Sequence, residues 1–166
     1  MQELRVKSER QSGVPFSAVE QARQAKLYER LGEETIFALS EQFYTRVYAD
    51  EEWFRGIFAN TTKEAAMRNQ REFLVQEFGG PPLYRQRKGH TALLGRHAPY
   101  AVTHRAAERW LAHMESAIAQ VVRDEECAVL LVRYFKHMAS FIVFGREWVN
   151  PGRTVGYYGK HEEGEA

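Results

Sequence analysis

From Tyr28 onward, apolar residues recur every three to four positions, and the rhythm continues with interruptions to about Arg146. That period puts side chains on one face of an α-helix, whereas strands alternate every second residue. A short helix from Tyr28 breaks at Gly32, and a long one runs from about 33 to 49. Ile36, Ser40, Phe43, Tyr44 and Val47 share its inner face, and Glu33 and Glu34 suit the dipole of its first turn. Residues 50–58 read as a tight corner with one helical turn and three aromatics, Trp53, Phe54 and Phe58. A third helix spans about 62–78, capped by Thr61 or Thr62, with Ala66, Gln70, Phe73, Leu74 and Glu77 on its inner stripe. Gly79-Gly80-Pro81-Pro82 ends it, because the glycines permit positive φ and the prolines cannot continue a helix.

The next stretch, 83–95, is less periodic and carries Arg85, Arg87 and Lys88. A short helix is expected near 91–96, stopping at His97 because Pro99 biases Ala98 away from the α region. Two long helices follow. One, at about 103–122, has Ala106, Trp110, Met114, Ala117 and Val121 on one face. The other, at about 124–146, has Leu130, Leu131, Tyr134, Met138 and Phe141 inward. Nothing reads as a hairpin or a repeat, so the fold class is all-α. The pattern divides the chain into an N-terminal extension at 1–24, one domain at 25–147 and a mobile, Gly- and Glu-rich tail at 148–166.

Composition narrows the function classes. With 166 residues the chain holds one core, and 23 basic against 22 acidic residues leave a net charge of +1. No global basic excess points to nucleic acid. The longest apolar run, residues 139–144, is too short for a bilayer span, and residues 1–10 do not resemble a signal peptide. A cytoplasmic protein without membrane partners is the expectation. A single cysteine, Cys127, excludes an internal disulfide, any paired-cysteine metal site and the C-x-x-C-H attachment of c-type haem. There is no H-E-x-x-H, and the six histidines show no close metal-ligand pairing.

Two features carry candidate chemistry. His97 ends a short helix, where a free carbonyl can accept from one ring nitrogen and leave the other for a metal. Equally, it reads as a helix-end histidine that merely complements the dipole. Tyr44, Gln70 and Trp110 put a hydroxyl, an amide and an indole N–H on the inner faces of three helices. Each needs a partner when buried, and either backbone carbonyls or a partly anionic ligand would serve. His90 reads as a cap or surface residue, and Cys127 carries no assigned chemistry.

The order of motifs is more specific than any of these residues alone. Phe43-Tyr44 is followed by Phe73-Leu74, Gly79-Gly80-Pro81 and Tyr84. Then come Gly89-His90, Arg96-His97-Ala98-Pro99-Tyr100 and Trp110-Leu111. Over about 27–145 this resembles group II truncated haemoglobins. The resemblance implies a truncated globin fold, a two-over-two helical sandwich around pentacoordinate b-type haem. His97 matches the proximal iron ligand, Trp110 the distal-side tryptophan and Tyr44 the distal tyrosine. Phe58 matches the aromatic packed on the haem at the corner. Tyr84 and Arg96 match positions near the propionates. Ala66 stands where classical globins place a distal histidine, and Gln70 takes a position held in this group by glutamine or leucine.

Reversible O2 binding is the implied function, with NO dioxygenation or peroxidase-like chemistry as further uses of the same pocket. A haem-free helical sensor or interaction domain is the alternative, which His97 argues against. O2 and other small diatomic ligands are the implied partners, in a monomer or homodimer. No G-x-G-x-x-G occurs, so redox turnover is expected to draw on an external reductase or a small reductant.

Overall fold

A computed structural model describes residues 1–149 of the protein, and the regular structure among them is entirely helical. In chain order the helices are α1 (Gln2–Ser12), α2 (Phe16–Gln24), α3 (Leu27–Leu31), α4 (Glu33–Tyr48) and α5 (Glu52–Arg55). After a 3-10 turn at Gly56–Phe58 come α6 (Lys63–Glu77), α7 (Leu83–Lys88), α8 (Leu93–His97), α9 (His104–Val121) and α10 (Glu125–Val149). The core is two pairs of long helices: α4 against α6 and α9 against α10, joined where α4 packs on α9. Phe43 and Val47 of α4, Leu74 and Val75 of α6, Met114 and Ala117 of α9 and Leu131 of α10 meet in that core. Each of these side chains larger than alanine contributes ~1.5–3 kcal/mol when removed from water. This is the two-over-two arrangement.

Local chemistry sets the ends of these helices. Thr62 caps α6 by accepting from the Ala65 amide at 3.1 Å, and Thr103 caps α9 by accepting from Ala106 at the same distance. Either cap contributes about 1 kcal/mol. At the far end of α6, the Phe78 carbonyl accepts from the Tyr28 amide, bringing α3 beside the turn. Gly80 is required by space: a Cβ there would fall 2.7 Å from Val75 and 2.8 Å from Tyr28.

Three features differ from the sequence pattern. Residues 1–24 carry no strong periodicity, yet α1 and α2 form and pack on α10. Their buried positions are few and include small or polar residues, Leu4, Ser8, Ala18, Val19 and Ala22, so the stripe is not purely apolar. Covered by α9 on one side and by α1 and α2 on the other, α10 buries His137 and Ser140 as well as its apolar face. In length and mean hydropathy α10 would suit a bilayer span, but half of it is buried within the fold. Second, α7 is a helix although its sequence, LYRQRK, is mostly polar. Arg87 fastens it by donating to Glu72 at 2.8 Å and to Asn69 at 2.6 Å. Third, α8 stops at His97 as expected, but Ala98 itself stays right-handed helical at φ −54°, ψ −37°. Its amide still closes a turn onto the Leu94 carbonyl, so the stop comes from Pro99, which has no N–H to continue the ladder. The tail read as mobile falls, from Asn150 on, outside the described residues.

Candidate functional site

Between the helix pairs and α8 lies a cavity of about 540 Å³, within the range of roughly 300–1,000 Å³ typical of cofactor and ligand sites. Tyr44, Phe58, Ala66, Gln70, Tyr84, Arg96, His97 and Trp110, the eight residues singled out from the sequence, all line it. They come from α4, the 3-10 turn, α6, α7, α8 and α9, so only the tertiary fold brings them together.

His97 Nδ1 lies 2.7 Å from the Leu93 carbonyl one turn earlier. A carbonyl can only accept, so Nδ1 carries the proton and Nε2 keeps a lone pair. Burial lowers the pKa of the ring below the ordinary histidine value, against the smaller opposing effect of that hydrogen bond. A neutral imidazole with a bare Nε2 is what a metal requires. Among the described residues no three His, Cys, Asp or Glu side chains gather into a metal-ion site. His97 is thus not part of a three-ligand metal-ion site built from the described side chains.

The loop carrying His97 is tightly built. Ala92 enters α8 in the left-handed region at φ 42°, a conformation that costs an alanine ~1–2 kcal/mol. Two side chains offset that cost. His90 Nδ1 accepts from the Ala92 amide at 3.0 Å, a bond within the turn that leads into α8. The Arg96 guanidinium donates to the carbonyls of Lys88 at 2.8 Å, His90 at 2.9 Å and Thr91 at 2.9 Å, and it lies over the Tyr84 ring. Arg96 thus lines the cavity while spending most of its donors on its own loop. Lys88, which sequence reasoning did not single out, lines the same cavity. It has no carboxylate partner among the described residues. The absence of any Asp or Glu between Glu77 and Glu108 was the signal that could have drawn attention to it.

Across the cavity the wall is aromatic with isolated polar atoms. Tyr44 is fully enclosed, and burial pushes its hydroxyl pKa far above the ordinary value. Its ring meets Phe43 edge-on at 4.8 Å and Phe58 at 6.0 Å. Trp110 packs between Phe43 at 4.8 Å and Phe135 at 5.4 Å. The Gln70 side-chain oxygen is buried without a hydrogen-bond partner. Leaving such an atom unpaired costs ~1–3 kcal/mol, and amides are free to turn and present N–H instead. Tyr44 and Trp110 likewise have no hydrogen bond to the described residues. These groups have polar atoms free to pair with a polar ligand in the cavity that His97 also lines.

The corner carrying Phe58 is pinned by Asp50. Its carboxylate accepts from Arg109 Nε at 2.7 Å and Nη2 at 2.5 Å, and from His113 Nε2 at 2.5 Å. The Arg109 bonds hold its pKa well below the usual carboxylate range, overcoming the effect of burial, with His113 adding to them. The pair locks the corner onto α9.

Two stacked helix pairs enclosing a cavity, with one histidine presenting a bare ring nitrogen into it, define a globin-type fold and site. The chain belongs to the bacterial-like globin family, whose family model matches residues 26–144, and within it to the group II truncated haemoglobins. Two-on-two hemoglobin-3 of Arabidopsis thaliana is 49% identical over 152 residues, covering 90% of this chain and 87% of that protein. Group 2 truncated hemoglobin 3-1 of Lotus japonicus is 49% identical over 152 residues, covering 90% of each. Both matches are longer than the 26–144 segment, so the similarity reaches beyond it. Among solved structures, the truncated oxygen-avid haemoglobin from Bacillus subtilis superposes with a TM-score of 0.65 at 36% identity, spanning 70% of this chain and 98% of that one. The thermostable hemoglobin from Thermobifida fusca gives 0.67 at 34%, spanning 70% and 95%.

Proposed function

We propose that this protein binds b-type haem through His97 and uses it to bind O2 and other small diatomic ligands. The observation that carries the reading is the pairing of His97, neutral and with Nε2 unused, with the unpartnered Gln70 amide across one cavity. When bound, haem supplies an iron centre that ligates such molecules reversibly. His97 holds that centre from the α8 side, oriented by its bond to Leu93. Tyr44, Gln70 and Trp110 offer hydrogen bonds to a ligand that gains negative character. Phe58 would pack against the bound group, and Ala66 leaves room that a larger side chain would fill. Lys88 is the better partner for a propionate, since Arg96 is engaged with its loop; Tyr84 supports Arg96 from below. The Bacillus subtilis relative is described as oxygen-avid, which agrees with a donor-rich pocket. In this reading the globin unit occupies 25–147, and any redox turnover draws electrons from an external reductase or a small reductant.

The test is optical. Purified protein, or protein titrated with haem, is expected to show an intense Soret band with one haem per chain. His97→Gly should lose the five-coordinate ferrous spectrum, and added imidazole should restore part of it. A wild-type chain that stays colourless after titration overturns the reading, and an unchanged spectrum in His97→Gly removes His97 as the ligand.

A further inference from the structure

His137 of α10 is wholly buried in the seam where α1 and α2 pack on that helix. Its Nδ1 lies 2.8 Å from the carbonyl of Val14, in the linker between α1 and α2. A carbonyl only accepts, so Nδ1 carries the ring proton, and the bond clips the linker onto α10. Nε2 is buried with no hydrogen-bond partner. Phe16 of α2 stands 5.6 Å from the ring, and Phe141, one turn along α10, stacks on it at 6.5 Å. Arg5 of α1 lies over the Phe16 ring at 3.7 Å.

Such a seam suits the neutral ring alone. A proton on Nε2 would place a positive charge and an N–H without an acceptor where water does not reach, which is costly unless a partner is supplied. The charged groups that act on the ring are both on α1: Glu9, which favours a proton, and Arg5, which opposes one. Glu9 is exposed and makes no hydrogen bond to Nε2. From α2 and from α10 itself the ring is faced by Phe16 and Phe141, which do not titrate. Burial holds the pKa of His137 below the ordinary histidine value, against the smaller effect of the Val14 bond. The same stretch of α10 also walls the cavity, through Tyr134, Phe135, Met138, Ala139 and Ile142. One helix thus carries the N-terminal clip and a wall of the site.

We propose that His137 is a proton-operated latch: neutral, it seats α1 and α2 on α10, and protonated, it releases them and loosens the helix that walls the cavity. With the clip released, the ring is in water and titrates at about 6.5, above its docked value, so the released form binds the proton more tightly. Docking is therefore at full strength well above about pH 6.5, weakens as pH falls through that value, and stops weakening below the docked value. Asp50, whose pKa is also depressed, responds only below about pH 4, so the two windows are separate. The latch does not depend on the haem reading, since its contacts are all between α10 and the N-terminal segment.

Hydrogen exchange read by mass spectrometry tests this on the full-length protein, as purified and again after haem titration. Rates are compared between about pH 7.5 and about pH 5.5, after correction for the intrinsic pH dependence of amide exchange. Protection of residues 2–24 should fall severalfold over that range, up to about tenfold, and protection of residues 134–142 should fall with it. His137→Gln keeps an N–H to donate to Val14 but cannot titrate, so its protection should not vary with pH. Constant protection in wild type overturns the proposal, as does a His137→Gln protein with the wild-type pH dependence. A clip that opens while residues 134–142 stay protected overturns the coupling to the cavity wall. NMR titration of the His137 ring in wild type needs no variant: a pKa below about 6.5 is expected, and a value at or above it overturns the latch.

Discussion

Gly145 is a sensitive point for the proximal side of the pocket, although it lies on α10, far in sequence from His97. A Cβ built there would stand 3.0 Å from Leu94 Cδ1 and 3.1 Å from Leu94 Cγ, and would overlap Cδ2. Leu94 belongs to α8, three residues before His97, so α8 is seated on α10 through this notch. Carbon atoms rest ~3.5–4.0 Å apart, so Gly145→Ala forces a separation of roughly 1 Å. Turning one methyl of Leu94 does not clear the clash, because three atoms of its side chain are involved. Overpacking of this kind costs ~1–3 kcal/mol, while replacing glycine by alanine inside a helix returns ~1 kcal/mol. The net change in stability is therefore small, about 0–2 kcal/mol, and the larger effect falls on geometry. His97 is hydrogen-bonded to Leu93 of the same short helix, so its ring moves with α8.

The assay is resonance Raman of the ferrous, haem-loaded protein, reading the iron–histidine stretch, together with CO association. Gly145→Ala should shift the stretch and change the CO rate. Gly145→Ala combined with Leu94→Ala, which reopens the notch, should return both toward wild type. An unshifted band in the single variant would refute the notch argument. So would a shifted band that the second substitution fails to correct, since the effect would then belong to α10 as a whole.

Other expectations follow from the same contacts. Asp50 has a depressed pKa, so its stabilisation is fully present above the unfolded value of about 4 and is lost as pH falls through the folded value. Asp50→Asn should lower the urea midpoint at pH 7, and the gap to wild type should narrow on acidification below about pH 4; a gap independent of pH would exclude the linkage. Arg96→Lys cannot span the carbonyls of Lys88, His90 and Thr91, so amide hydrogen exchange across 88–98 should speed up about tenfold or more. Unchanged exchange there would show that the clamp contributes little. Tyr44→Phe should accelerate O2 release about tenfold or more if one hydrogen bond of ~1.5 kcal/mol is lost, and wild-type release in stopped flow would remove Tyr44 from the ligand's partners.

The parts of this protein that were legible in the sequence share one property: their signal is local. The stripe Ile36, Ser40, Phe43, Tyr44, Val47 is buried in α4, and Thr62, one of the two threonines expected to cap the third helix, caps α6. The pocket residues were reachable because the motif order around Gly79-Gly80-Pro81 and Arg96-His97-Ala98-Pro99 is specific, and all eight meet at one cavity. What escaped depends on partners distant in the chain. α7 is helical because Arg87 finds Glu72, fifteen residues earlier, and its own composition says little. Leu4 and Ser8 mark a contact face of α1 only once α10 is beside it. Arg96 was read for its charge, whereas its geometry makes it a brace for the loop that carries His97.

The same contrast explains how the pocket can be both polar and stable. Its charged and hydrogen-bonded supports point outward or along the backbone: Arg96 to loop carbonyls, Asp50 to Arg109 and His113, Tyr134 to Glu77. None of those groups needs a cofactor to be satisfied, so they hold the walls in place whatever fills the cavity. Inside, His97 Nε2 and the Gln70 amide are left with capacity to spare, and the walls around them are mainly aromatic and aliphatic. A ligand that bonds to them recovers free energy the empty fold gives up. Binding is thereby coupled to stability: occupancy should raise the unfolding midpoint, and by more in wild type than in variants lacking either group.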